Sequence, residues 1–212
     1  MRDGADATAH ATAYAPSPLF GEPVKLAAPI ALLACILAAN AASLAPQQQS
    51  ATPQTVRSTA MAKLAAWVGE WKGSGWTTLP SKGRVEFTQI EQVGRKVGDT
   101  VLLAEGRSVT REESGEEVVL HDGLALVFFD EKTGTYRWHG HDVGWGVSNA
   151  EVKLVDGGFE WSLAAPGVGA TVRFTIHLDE RHWREVGEAS VDGATWSKFM
   201  ETNLDRVGDP PK

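Results

Sequence analysis

Cysteine is almost absent from this chain: Cys35 is the single one among 212 residues. A lone thiol forms no internal disulfide, so the folded part must hold together by its core alone. Positive charge is also scarce. The chain has 20 Lys and Arg against 27 Asp and Glu, a formal net charge of −7, and no basic run. A nucleic-acid partner demands a cationic footprint and is not expected. No apolar run reaches the roughly 20 residues of a membrane span. Nucleophile motifs, phosphate-binding loops and dinucleotide fingerprints are missing too. What remains open is acid–base chemistry, which needs only one well-placed His or Glu.

Tryptophan is missing from residues 1–56, and all eight tryptophans fall between Trp67 and Trp196. The first 56 residues are rich in Ala, Pro, Gln, Ser and Thr, with Arg2, Asp3, Asp6, Glu22 and Lys25 as their charged members. Within them, residues 26–37 read LAAPIALLACIL, preceded by Lys25 and followed by Ala39-Asn40-Ala41. A basic residue, a short apolar run and a small-x-small site make a secretory signal peptide. A mature start near Ala42 and a periplasmic or secreted location are therefore expected, with no membrane span in the mature form. The 23 residues before Val24 are long and acidic for such a leader; a start at Val24 itself would remove them. Leu32-Leu33-Ala34-Cys35 resembles a lipoprotein box, but the chain stays apolar after Cys35, which speaks against a lipid anchor. The organisation read from the sequence is a leader over residues 1–41, a disordered polar linker over 42–56 and one domain over 57–209, the natural size for a single core.

Met61, Leu64 and Trp67/Val68 recur at helical spacing, predicting a short amphipathic helix over residues 57–68 with Ser58 as its N-cap. Strand signals then repeat about every dozen residues. Val172, Phe174 and Ile176 alternate with Arg173, Thr175 and His177. Turn residues separate the strands, notably Asp130 to Gly134 and Asp192-Gly193, the latter the best short hairpin signal in the chain. The expected fold is all-β: an up-and-down antiparallel barrel of about nine to ten strands with one short N-terminal helix, whose closure removes both sheet edges.

Gly69-x-Trp71 opens the first strand and Leu204-Asp205-Arg206 ends the last. Together with Leu64-x-x-Trp67, Gly73, Tyr136 and the block Trp183-x-Glu185-x-Gly187-Glu188-x-Ser190-x-Asp192-Gly193-x-x-Trp196, this order resembles a bacterial family of lipocalin-like, calycin-type barrels of unknown function, over roughly residues 61–207. The resemblance implies that Arg206 lies over the Trp71 ring and closes one end; it implies no reaction. A related ten-stranded class binds haem through a His near the C-terminus, but residues 196–206 contain none. No cofactor is expected.

The expected function is to bind a small apolar or amphipathic molecule inside the barrel. The residues proposed to line the cup are Trp76, Glu105, His121, Trp138, Trp161, Glu188 and Glu201. Two alternatives stand beside it. One is an enzyme acting on a hydrophobic substrate in the same cup, with His121 or Glu188 as acid or base. The other is a barrel filled by its own rings whose outer surface is the functional part. His139-Gly140-His141 places two imidazoles on one face, but the expected partner Glu of a metal-binding pattern is replaced by Trp145 and Gly146, so no metal site is assigned.

Overall fold

The computed structural model describes residues 52–165, 167 and 169–209. The leader, its cleavage site, Val24, Cys35 and the linker up to residue 51 lie outside the described residues. Among those described, no helix is long and apolar enough to cross a membrane.

The chain enters through helix α1 (Pro53–Met61) and a 3₁₀ segment (Ala62–Trp67). The helix starts four residues earlier than the sequence pattern suggests. Thr52, not Ser58, is the N-cap; its hydroxyl accepts from Thr55 N at 3.3 Å. Pro53 follows it, where a missing N–H costs nothing. Ser58 instead donates to the Thr55 carbonyl. Met61, Leu64 and Trp67 are buried as their spacing predicts.

Ten antiparallel strands follow: β1 (Gly69–Leu79), β2 (Gly83–Lys96), β3 (Val101–Arg111), β4 (Glu117–Asp130), β5 (Thr135–Asp142), β6 (Gly146–Val155), β7 (Gly158–Ala165), β8 (Ala170–Leu178), β9 (His182–Ser190) and β10 (Ser197–Gly208). Each pairs with the next, and β10 returns to β1 to close the barrel. The up-and-down reading of the sequence holds, at ten strands. Alternation in β8 sorts as expected: Val172, Phe174 and Ile176 are buried. Asp192-Gly193 does turn the chain, but within a six-residue loop between β9 and β10 rather than a two-residue hairpin. There Asp192 Oδ1 accepts from Ala194 N and Thr195 N.

One end of the barrel is sealed by the entering segment. Met61, Leu64, Trp67, Trp71, Phe159 and Leu204 form its core. The Trp71 indole donates to Trp67 O at 2.9 Å. Trp71 and Arg206 are register partners on β1 and β10, and the guanidinium sits 4.1 Å from the ring centroid. Arg206 also donates to the carbonyls of Ala66, Val68 and Glu180. The plug is thus a cation–π contact combined with hydrogen bonds to three backbone carbonyls. Gly69 is part of it. A side chain there would collide with the Arg206 guanidinium, whose Cζ lies 3.1 Å from the Cβ position. Arg57 to Glu131 at 2.8 Å and Tyr136 Oη to Ala60 O at 2.8 Å fasten the helix over this end.

Candidate functional site: the cup and its polar floor

The opposite end is open, and the barrel interior holds a cavity of about 510 Å³. Its size falls within the range of small-molecule sites. The cavity has an aromatic wall and a polar floor.

Three rings build the wall. Trp161 on β7 faces Phe174 on β8 directly across the strand pair, centroids 4.5 Å apart and planes 22° apart. Trp138 on β5 stacks on Trp161 at 4.3 Å and 13°, although β6 lies between their strands. It reaches across because its β6 partner is the small Ala150. The Trp138 indole is steadied by Ser148 Oγ at 3.1 Å. Gly140 leaves room for this: a Cβ there would lie 2.5 Å from Trp138 Nε1.

The floor is polar and buried. Glu91 from β2 is 7 % exposed and Glu185 from β9 is 8 % exposed. Both line the cavity with His121 and Asp142. His121 Nδ1 lies 2.6 Å from Asp142 Oδ2. Asp142 Oδ1 accepts from Gly144 N and Trp145 N, each at 2.7 Å. Asp142 is therefore fixed by the β5–β6 turn and in turn orients the imidazole, whose other nitrogen is left for the cavity. Gln89 donates to Glu91 Oε1 at 2.6 Å and meets Thr202 Oγ1 at 3.5 Å. Glu91, Gly106, Gly123 and Asp142 stand in register across β2, β3, β4 and β5. The two glycines between the acids give the carboxyl space: a Cβ at Gly106 would come within 2.6 Å of Glu91 Cδ.

Burial sets the protonation of this floor. It pushes Glu91 up to about 8, against the pull of the His121 charge and the Gln89 hydrogen bond. It pushes Glu185 up to about 7, against His121 and the nearby Trp183 indole. Burial alone would lower His121, but the bond to Asp142 and the charges of Glu91, Asp142 and Glu185 outweigh it and raise the imidazole. Asp142 moves the other way: burial opposes its ionisation, while His121 and the Trp145 and Gly144 N–H groups win and lower it.

Of the seven residues expected to line the cup, His121, Trp138 and Trp161 do. The other four belong to the outer face. Trp76 carries Arg84 over its ring at 4.3 Å. Glu105 is exposed, alternating with buried Ala104 and Gly106. Glu188 pairs with Arg173 at 2.7 Å. Glu201 is bound by Arg184 at 2.9 Å and Lys198 at 2.8 Å, which together lower its pKa. The physical reason is common to all four: alternation separates two faces but does not say which one turns in. Glu91, Glu185, Asp142 and Gln89 were missed. A signal existed for Glu185, which shares its face with Trp183 and Gly187 and not with Arg184. His139 and His141 do share a face, with rings 5.1 Å apart, but it is the outer one, where His139 bonds Asn149 at 2.7 Å. Among the described residues, no group of three or more His, Cys, Asp or Glu is arranged to hold a metal ion.

No protein-family model matches the chain, and no curated protein does. Solved structures do match. Rv2717c from M. tuberculosis aligns with a TM-score of 0.52 and 13 % identity, over 74 % of this chain and 99 % of that one. The S-type phycobiliprotein lyase CPES from Guillardia theta aligns with a TM-score of 0.48 and 8 % identity, over 76 % of this chain and 100 % of that one. At such identities the likeness is one of fold. The protein is a ten-stranded antiparallel β-barrel of lipocalin-like architecture.

Proposed function

We propose that the protein binds one small amphipathic molecule in its cup, with an apolar, flat body against the Trp138, Trp161 and Phe174 wall and a polar end at the floor. The observation that carries this reading is the cavity of about 510 Å³ in a barrel whose other end is plugged. A binding cup needs a concave apolar lining with a few convergent polar groups, and both are present. A barrel filled by its own rings would have no such volume, and the cavity favours binding inside over the surface-module reading. Native mass spectrometry of protein purified from its own cells tests the proposal, together with titration by an apolar fluorescent probe. A co-purifying molecule, or quenching of tryptophan emission by the probe, is the expected result. Failure of every apolar probe and lipid extract to bind would overturn it.

The chain is read as exported, on the strength of its basic, apolar and small-residue leader. N-terminal sequencing of protein from the producing cells should find a start near Ala42; a start at Met1, or an acylated Cys35, would refute this.

One observation favours an enzymatic reading as well. Asp142 holds His121 by one ring nitrogen at the floor of an apolar cavity, beside two carboxyls whose pKa values lie near neutrality. That is the arrangement of a general acid or base. Incubating the recovered molecule with fresh protein would show a mass change that His121→Asn abolishes; an unaltered molecule would leave a binder.

A further inference from the structure

The polar end of the ligand can be given a charge. Among the described residues, no Lys or Arg lines the cavity, and the imidazole that faces its floor is His121, while the His141 side chain lies on the outer face. Three carboxyls face the same volume: Glu91, Asp142 and Glu185. Two of these four central groups are already committed. Asp142 accepts from two backbone N–H groups through Oδ1 and faces His121 Nδ1 at 2.6 Å through Oδ2, where His121 spends its charge. Glu91 and Glu185 remain. Glu91 receives one hydrogen bond, on Oε1 from Gln89. Glu185 is 8 % exposed, and the one donor beside it is the Trp183 indole N–H, which offsets only part of the effect of burial.

A buried carboxyl short of donors is costly, and fold stability gains nothing from placing two of them at the floor of an apolar cup. A donor arriving with the ligand removes that cost. An anionic head group would instead meet a floor whose single nearby cation is neutralised and whose remaining groups are acids. The indoles of Trp67, Trp138 and Trp183 line the same volume, and their ring faces attract cations.

On these grounds, and resting on the reading of the cup as a ligand site, we propose that the ligand is an amine: a protonated nitrogen held by Glu185 and Glu91 at the floor, carried on the flat apolar body that stacks along the wall. The ammonium donates to the carboxylate oxygens, and its charge makes their ionised forms the bound ones.

Three probes that share one ring system separate the head groups: naphthylmethylamine, naphthylmethanol and naphthoate, each titrated calorimetrically into the full chain at neutral pH. The amine should bind about tenfold or more tighter than the alcohol, with the carboxylate weakest, a tenfold step being about 1.4 kcal/mol. Glu185→Gln and Glu91→Gln should each lower affinity for the amine about tenfold, and by more than they lower affinity for the alcohol. A carboxylate that binds as tightly as the amine overturns the proposal, as does an amine preference that survives both substitutions. Binding of the alcohol and carboxylate without the amine sinks the head-group assignment and leaves the cup. If none of the three binds, this proposal falls, while the cup reading is decided by the wider set of apolar probes and by native mass spectrometry. Should the substituted proteins fail to fold, the ranking of the three probes on the unaltered protein decides alone.

Discussion

Glu185→Gln should make the ligand-free protein more stable at neutral and alkaline pH, and leave it almost unchanged in acid. The folded chain holds the Glu185 proton up to about pH 7, whereas an unperturbed carboxyl releases it near 4.5. Below about pH 4.5 the group is protonated in both states, and the isosteric amide changes little. As pH rises through 4.5 the unfolded chain gives up the proton and the folded chain does not, so stability drains away until about pH 7, where the folded state ionises too and the loss levels off. At about 1.4 kcal/mol per pH unit, that window corresponds to about 3 kcal/mol. The value already contains the opposing pull of His121, which faces Glu185 across the floor together with Glu91 and Asp142. Glu91 titrates in both proteins, up to about 8 in the unaltered one, and the Glu185 charge helps to raise it, so the difference between the two stability curves carries Glu185 together with its push on Glu91. Urea unfolding followed by tryptophan emission at a series of pH values is a direct assay. The midpoint of Glu185→Gln should exceed that of the unaltered protein by about 1–2 M at alkaline pH and by almost nothing at about pH 4 and below. An offset that stays constant across pH, or one that favours glutamate as pH rises, would refute the placement of this carboxyl in a dry floor.

Other consequences are simpler to state. Trp71 is fully buried beneath Arg206, and Trp71→Ala should cost about 3–5 kcal/mol, seen as a large fall in melting temperature. Trp161→Ala removes the middle ring of the wall and should weaken binding of an aromatic probe about tenfold, while Trp76→Ala, on the outer face, should leave probe affinity as it was. Gly106→Val pushes a branched side chain into the Glu91 carboxyl and should cost about 1–3 kcal/mol by chemical denaturation, with probe binding lost in parallel.

The strand sequence and the plug were legible because their causes are local or nearly so. Turn residues such as Asp130 to Gly134 act within a few positions, alternation in β8 marks a strand wherever it ends up, and Gly69, Trp71 and Arg206 fit one another as a unit. The helix start was misplaced by four residues because Pro53 and Thr52 lie in a stretch that reads as polar linker.

The identity of the site was of another kind. Alternation told that Glu185 and Glu188 must face opposite ways, yet not which faced inward. That choice depends on closure of ten strands and on bulges, such as those at Leu120 in β4 and at Phe199 in β10, each of which inverts the faces beyond it. Glu188, Glu201 and Glu105 went outward to ordinary surface ion pairs or to solvent, and Glu185 and Glu91 went in. The sequence by itself determined that about nine to ten alternating segments would close around a core capped by Trp71 and Arg206. Only the tertiary structure decided which acids that closure would take out of water. The same burial gave Glu91 and Glu185 their raised pKa values, because desolvation belongs to a place in the barrel and to no residue taken alone.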